Sequence, residues 1–235
     1  MSTPNNNTTE SRRLVIVNAG TSDPSSSRML ADRIAQKTLD QLHAQDIPAT
    51  VSVIELGPLA GEIAHAIVSG FPHGALLESI KVLAAADGVI VATPVYKAGM
   101  SGLFKSFIDI LDNDVLIAKP LVLSATAGTS RHALVIDDQM RSLFAFMRTL
   151  TTPTSVFAAP EDWADTSLTG RIERAATELA AMLATGISAA ITGKVWDKYQ
   201  HNFGSNAPGG AASEINFDTD LMRLATGAAA LPNRR

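Results

Sequence analysis

The stretch VIVATPVYKAGMSG, residues 89–102, decides the fold. Its first half is an unbroken apolar run, and Pro94 and Gly99 mark the change from that run to a loop. A strand that is apolar on both faces is typical of a parallel sheet covered by helices on both sides. Such sheets bind their ligands just beyond the carboxyl ends of the strands. We therefore expect Tyr96 and its neighbours to lie where a planar ligand can bind.

Four further strands, each followed by a helix, are predicted around this one. The five strands begin near Leu14, Val51, Val89, Pro120 and Thr154. Five such repeats with right-handed crossovers predict an α/β fold with a doubly wound parallel sheet. A Rossmann-like half and the flavodoxin-like order 2-1-3-4-5 compete for this pattern. No G-x-G-x-x-G follows the first strand, so we predict a flavodoxin-like, five-stranded sheet in that order.

The 235 residues are divided into three parts by composition. Residues 1–11 have almost no apolar content and are predicted to be a disordered N-terminal tail. Residues 12–190 hold the strand-helix repeats and form the predicted flavodoxin-like domain. Residues 191–235 place aromatic side chains among Gly, Asn and Pro, which favours a C-terminal extension that serves as an oligomer arm or a lid.

Composition excludes several classes of function. The net charge is −4, and Lys and Arg are scattered, so nucleic acid is not an expected partner. No apolar stretch approaches the ~20 residues that span a bilayer, so no membrane partner is expected either. With no cysteine and no secretory signal at its start, the chain is expected in the cytoplasm. Its five histidines lack metal-ligand spacing, so no metal site is predicted.

The segment GTSDPSSS, residues 20–27 (loop 1), opens the first helix. Free backbone N–H groups and the positive end of the helix dipole favour an anion there. Hydroxyl groups add donors, and the candidate residues are Thr21, Ser25, Ser26 and Ser27. Because loop 1 holds no Lys or Arg, a phosphate monoester is favoured over a polyphosphate. The alternative is that one serine caps the helix and the others fill a polar turn.

Two further loops follow the third and fourth strands. Loop 2, residues 93–102, offers backbone approach to a ring, an aromatic face and a cation through Thr93, Pro94, Val95, Tyr96 and Lys97. Loop 3, residues 126–130, contributes Thr126, Ala127, Gly128 and Thr129. The alternative for loop 2 is a surface turn with a solvated lysine that binds no ligand. The three loops surround the flavodoxin-like switch point, so one planar ligand with a phosphate could touch all of them.

No side chains are nominated as catalytic. Ser101 lacks the spacing of a nucleophile elbow, and no Ser/His/Asp set or carboxylate pair stands out. Asp137 and Asp138 fall in the first turns of a helix, where the dipole already favours carboxylates. Hydrolytic chemistry therefore has little support.

At these loops the sequence resembles the NAD(P)H-dependent FMN reductase family. The segment ATPVYKA at 92–98, with Ser101 and Gly102, is similar to the loop that holds the isoalloxazine ring in that family. The segments ATAGT at 125–129 and SSSR at 25–28 resemble its third loop and its phosphate loop. The likeness extends over about residues 12–188. It is strongest to reductase components of two-component flavin monooxygenases, such as the alkanesulfonate and methanesulfonate systems.

The resemblance implies FMN and NADPH or NADH as cofactors. It also implies hydride transfer from nicotinamide C4 to flavin N5 without a proton-shuttling side chain, and assembly as a homodimer or homotetramer. A flavin-dependent monooxygenase that receives FMNH2 is the implied partner. Some relatives carry an aromatic residue or His at an inserted π-turn in the fourth helix, where Asp138 stands here. The alternatives are a quinone, azo or metal-ion reductase that retains FMN, or a flavodoxin-type electron carrier.

Overall fold

The computed structural model describes residues 11–193. Almost all of the predicted N-terminal tail and of the predicted C-terminal extension lies outside the described residues. Within the described part the strands are β1 (Arg12–Asn18), β2 (Ala49–Glu55), β3 (Gly88–Tyr96), β4 (Gly99–Met100), β5 (Pro120–Thr126), β6 (Leu150–Thr151) and β7 (Val156–Ala158). The α-helices are α1 (Ser26–His43), α2 (Leu56–Ser69), α3 (Gly74–Ala84), α4 (Gly102–Asp109), α5 (Arg141–Phe146), α6 (Thr166–Ala184) and α7 (Ile187–Ile191).

The sheet is parallel apart from one short strand, and its order is β2-β1-β3-β5-β6. Strand β7 also pairs with β5 in parallel, and β4 pairs antiparallel with β3. This arrangement confirms the flavodoxin-like parallel α/β fold. The prediction of five strands in the order 2-1-3-4-5 is wrong in detail, because the described part of the sheet has seven strands.

Two local features account for the extra strands. The chain turns back after Tyr96, and Gly99 and Met100 pair with the end of β3 as β4. The fifth position of the sheet is divided between β6 and β7. Pro153, which has no N–H to donate to a ladder, lies between them, and Thr152 Oγ1 donates to Thr154 O over 2.9 Å.

The sheet has an apolar layer on each face, as the composition of β3 predicts. Val89 and Val91 point into one core, which includes Phe104, Phe107 and Phe144 from α4 and α5. Ile90 and Ala92 point into the other core, which α1 and α6 cover. The predicted central strand is therefore buried on both sides, and its loop is delivered from a fixed base.

Three helical segments have local features that set their course. The stretch after β2 is a regular 14-residue helix, since Gly57 and Pro58 occupy its first turn, where a missing N–H costs little. The fourth crossover contains a π-turn, Ile136–Met140, before α5. The last long helix ends at Ala184, because Gly186 adopts the left-handed conformation with φ 62° before α7 begins. No helix among residues 11–193 combines the length and apolar character needed to cross a membrane.

Candidate functional site

A cavity of about 230 Å³ opens at the carboxyl edge of the sheet, where loops 1, 2 and 3 meet. Loop 1 lines it with Thr21 and residues 25–27, all predicted, together with Gly20 and Ser22. Loop 2 contributes the predicted Pro94, Val95 and Tyr96, and loop 3 the predicted Thr126, Ala127 and Gly128. The structure therefore brings most of the predicted residues to one place.

Loop 1 is shaped by a close approach at Gly20. A Cβ atom at this position would lie 2.0 Å from Ser25 Oγ, so a side chain here would push that hydroxyl group out of its position. Ser25 Oγ accepts a hydrogen bond from the backbone N–H of Arg28 over 3.2 Å and is the N-cap of α1. The N–H groups of Ser26 and Ser27 belong to the first helical turn and are left for a ligand.

A partly buried network, with Asn18 at its buried end, fixes loop 1 from below. Asn18 Oδ1 accepts from the N–H of Gly20 over 3.1 Å, and its Nδ2 donates to Glu55 Oε2 over 2.7 Å. The other oxygen of Glu55 accepts from the guanidinium of Arg28. Arg28 Nε also donates to Asp32 Oδ1 over 2.7 Å. The turn between β1 and α1 is thus held by side chains from β1, β2 and α1.

Arg28 belongs to this network and not to the cavity wall. Hydrogen bonding to Asp32 raises the pKa of Arg28 most, burial opposes that effect, and Glu55 adds to it. The guanidinium is therefore shared between two carboxylates. Arg28 is part of the segment that resembles the family's phosphate loop, but it does not line the cavity.

Loops 1 and 3 are joined by one buried contact. Ser27 Oγ and Thr126 Oγ1 lie 2.7 Å apart, and the N–H of Ala127 donates to Ala158 O over 3.2 Å. The two hydroxyl groups share one proton in this contact, so one of them keeps a proton to donate to a ligand. Loop 3 is thereby fixed to α1 on one side and to β7 on the other.

Three predicted residues lie off the cavity wall. Thr93 is fully buried, where its Oγ1 accepts from the N–H of Ser101 over 3.1 Å and donates to Pro94 O. Lys97 is exposed at the tip of the β3-β4 hairpin. Thr129 Oγ1 accepts from the N–H of Arg131 at the start of a short 3₁₀ turn. Thr93 therefore supports loop 2, and the other two adjoin lining residues.

Sequence reasoning missed a fourth wall of the cavity. Ala158 is the last residue of β7, Pro160 and Trp163 follow it, and the three complete the lining. Trp163 packs on the core beside α1 and α6, and the guanidinium of Arg33 lies 5.0 Å from the centre of its ring. The signal was available: the segment follows the carboxyl end of a strand, as loops 1 to 3 do.

The described wall of the cavity consists of neutral residues. Among residues 11–193, no Asp, Glu, His, Lys or Arg lines the cavity. The described part also holds no group of three metal-ligand side chains. Ser101, at the base of loop 2, uses its Oγ to accept from the N–H of Phe104 as the N-cap of α4. Neutral donors at a helix N-terminus fit a phosphate monoester, and an apolar loop with Tyr96 fits a planar ring.

The sequence model of the NADPH-dependent FMN reductase family matches residues 12–164, more than half of the chain. This chain belongs to that family. The match spans loops 1, 2 and 3 and includes Trp163. The members of this oxidoreductase family use FMN with a nicotinamide nucleotide, as the names of the relatives below state.

Two curated relatives match most of the described domain. The NADH-dependent FMN reductase SfnE of Pseudomonas putida is 35% identical over 181 residues, which are 77% of this chain and 91% of the relative. An FMN reductase (NADPH) of Pseudomonas aeruginosa is 32% identical over 72% of this chain and 88% of its own length. Relatives named for NADH and for NADPH are thus similarly distant.

Two solved structures share the fold. An oxidoreductase from Corynebacterium diphtheriae is 42% identical with a TM-score of 0.72, over 74% of this chain and 98% of that one. The apo form of the NADH:FMN oxidoreductase EmoB is 25% identical with a TM-score of 0.64, over 73% and 89%.

Proposed function

We propose that this protein reduces FMN with NADPH or NADH and releases FMNH2 to a flavin-dependent monooxygenase. The observation that carries the proposal is the cavity at the carboxyl edge of the sheet, in a chain of the FMN reductase family. It joins a hydroxyl-rich helix N-terminus to a loop with an exposed aromatic side chain. When bound, the flavin supplies the hydride-accepting chemistry, and the protein supplies position and exclusion of water.

Loop 1 holds the phosphate in this proposal. The N–H groups of the first turn of α1 point to the anion, and the hydroxyl groups of Thr21, Ser25 and Ser26 add donors. Ser27 and Thr126 share one proton between their hydroxyl groups, and the hydroxyl group that keeps its own proton donates it to the phosphate. Because Gly20 leaves no room for a side chain, the backbone of loop 1 can approach the phosphate closely.

Loops 2 and 3 hold the ring. Pro94, Val95 and Tyr96 form one side, and Thr126, Ala127 and Gly128 form the other. Lys97 and Thr129 are proposed as further binding residues because each directly follows a lining residue. Tyr96 is 55% exposed, so the ring edge beside it is open to solvent. That opening gives the nicotinamide access at the roughly 3–3.5 Å separation that hydride transfer needs.

Steady-state kinetics of the purified full chain test this function. We expect the protein to oxidise NADPH or NADH only when free FMN is added, and each nucleotide is tested separately. Tightly held flavin with a preference for quinones, azo dyes or metal ions would favour the alternative reductases. A protein that binds FMN but oxidises neither nucleotide would be an electron carrier, and the proposal would be wrong.

The assembly and the two ends of the chain are proposals as well. We infer that the protein acts in the cytoplasm and assembles as a homodimer or homotetramer. The assembly is supported by exposed apolar side chains, such as Val68, Phe71, Leu134 and Phe146. Residues 1–11 are proposed as a tail and 191–235 as an oligomer arm or lid. Truncation after Gly193 should then lower the mass measured by light scattering or weaken FMN affinity. An unchanged mass together with unchanged kinetics would show that residues 191–235 are neither an oligomer arm nor a lid.

A further inference from the structure

The tip of the β3-β4 hairpin (residues 96–99) has a backbone that ordinary side chains disfavour. Lys97 has φ 51° and Ala98 has φ 63°, so two successive residues with a Cβ atom adopt the left-handed conformation. Turns of this kind usually place Asn or Gly at these positions. Only two residues of β4 pair with β3 beyond the tip. The tip therefore needs support from outside the hairpin.

That support comes from the π-turn, through Gln139. Its Nε2 donates a hydrogen bond to Ala98 O over 3.1 Å. Its Oε1 lies 3.2 Å from where a Cβ atom of Gly99 would stand. The amide of Gln139 therefore packs closely against the tip at Gly99.

The π-turn is a fixed platform for this contact. Ile136 and Met140 are buried in the core. Arg141, the next residue, donates from Nε to Asp137 and from its terminal nitrogens to the carbonyl oxygens of Thr152 and Pro153. The π-turn is thus tied to the connection between β6 and β7. Gln139 projects from this anchored segment onto the hairpin tip.

We propose that Gln139 is a positioning residue that holds the strained hairpin tip, and with it Tyr96, in the conformation that binds FMN. This inference rests on the proposed flavin function of loop 2. When a ligand binds one conformation of a loop, its apparent affinity is proportional to the fraction of molecules in that conformation and falls as that fraction falls. Loss of the Gln139 contact therefore weakens FMN binding and leaves the bound complex, and hydride transfer within it, intact.

The test compares Gln139→Ala, Ala98→Gly and the double variant in the full chain. Glycine adopts positive φ without strain, so Ala98→Gly removes the need for an outside support. We expect Gln139→Ala to raise the KM for FMN about three- to tenfold, the range for one hydrogen bond, with kcat within about twofold. In the Ala98→Gly background, the same substitution should change the KM less than twofold. Gln45→Ala is the matched control, because the Gln45 amide bonds only a carbonyl of α1.

Amide hydrogen exchange provides a second readout that does not depend on activity. Exchange at residues 97–99 should rise in Gln139→Ala and stay unchanged in Gln45→Ala. An equal KM change in both backgrounds, a fall in kcat without a KM change, or unchanged kinetics and exchange would each overturn the inference. Failure of the proposed function is distinguishable, because the wild-type protein would then show no FMN-dependent oxidation at all.

Discussion

The two ends of the cavity wall are supported in opposite ways. Loop 1 rests on a partly buried side-chain network that links Asn18, Glu55 and Arg28, and it begins at Gly20, where a side chain would displace the N-cap hydroxyl of Ser25. The tip of loop 2 is exposed, adopts a disfavoured backbone, and has Gln139 as its described side-chain support. A rigid end suits an anion whose geometry is fixed. An adjustable end suits a ring that a second cofactor must reach and that must leave after reduction.

The largest effect is expected from Gly20→Ala, which attacks the rigid end. A Cβ atom 2.0 Å from Ser25 Oγ forces the N-cap of α1 out of place. We expect the KM for FMN to rise by about two orders of magnitude or more, since several charge-assisted hydrogen bonds are lost together. Gly61→Ala is the control, because a Cβ atom there meets nothing within 4 Å. Near-normal kinetics in Gly20→Ala would show that loop 1 is as adjustable as loop 2.

Removal of the hydroxyl groups from the rigid end should have the next largest effect. In Ser25→Ala with Ser27→Ala, each lost donor to a charged phosphate costs about 1.5–3 kcal/mol. We therefore expect the KM for FMN to rise at least about tenfold, which is the lower bound for the loss of a single such donor. Ser79→Ala, which removes a hydroxyl from the surface of α3, serves as the control. If FMN kinetics do not change, the serines serve only to cap and pack α1.

Tyr96→Ala tests the adjustable end and should have a moderate effect. The ring is 55% exposed and makes little contribution to the core, so the melting temperature should stay within about 1–2 °C. We expect about a tenfold loss in kcat/KM with FMN, from the lost aromatic contact. Tyr96→Phe keeps the ring and should retain most of the activity. Lys97→Ala should impair FMN use less strongly. Normal kinetics in both alanine variants would make loop 2 an ordinary surface turn.

The smallest effect is expected from Arg28→Ala. Arg28 stands one residue beyond the lining and is shared between Asp32 and Glu55, so its loss removes support and not a phosphate contact. We expect the KM for FMN to rise only two- to threefold, because a half-exposed ion pair contributes at most about 1 kcal/mol. A rise above tenfold would show that Arg28 leaves its carboxylates and binds the phosphate.

The fold could be predicted where the signal is local. The apolar run of β3 predicts a strand buried on both faces, and the missing glycine fingerprint favours the flavodoxin-like order. The division of the fifth strand position depends on how Pro153 and Thr152 fit against β5, and β4 depends on its pairing with β3. Such short strands have no pattern of their own, since tertiary contacts and not propensity form them.

The site, like the fold, could be predicted only where the local sequence carries the signal. Loops 1, 2 and 3 were candidates because each follows the carboxyl end of a strand, which is why Thr21, Tyr96 and Thr126 were found. The segment after β7 follows the same rule and was missed. The direction of a side chain could not be predicted: Thr93 is buried and supports loop 2 instead of lining the cavity. Gln139 could not be found, because its reach depends on the register of a π-turn.

The ratio of the KM for riboflavin to the KM for FMN tests most directly whether loop 1 holds the phosphate and loop 2 holds the ring. Riboflavin lacks the phosphate, so the ratio reports what loop 1 contributes, while changes at loop 2 act on both flavins alike. The ratio is measured side by side in the wild-type protein, in Ser25→Ala with Ser27→Ala, and in Tyr96→Ala. The account predicts that the ratio falls about tenfold or more in the serine variant and stays within about twofold of wild type in Tyr96→Ala. A ratio that is unchanged in the serine variant, or that falls equally in both, would contradict it.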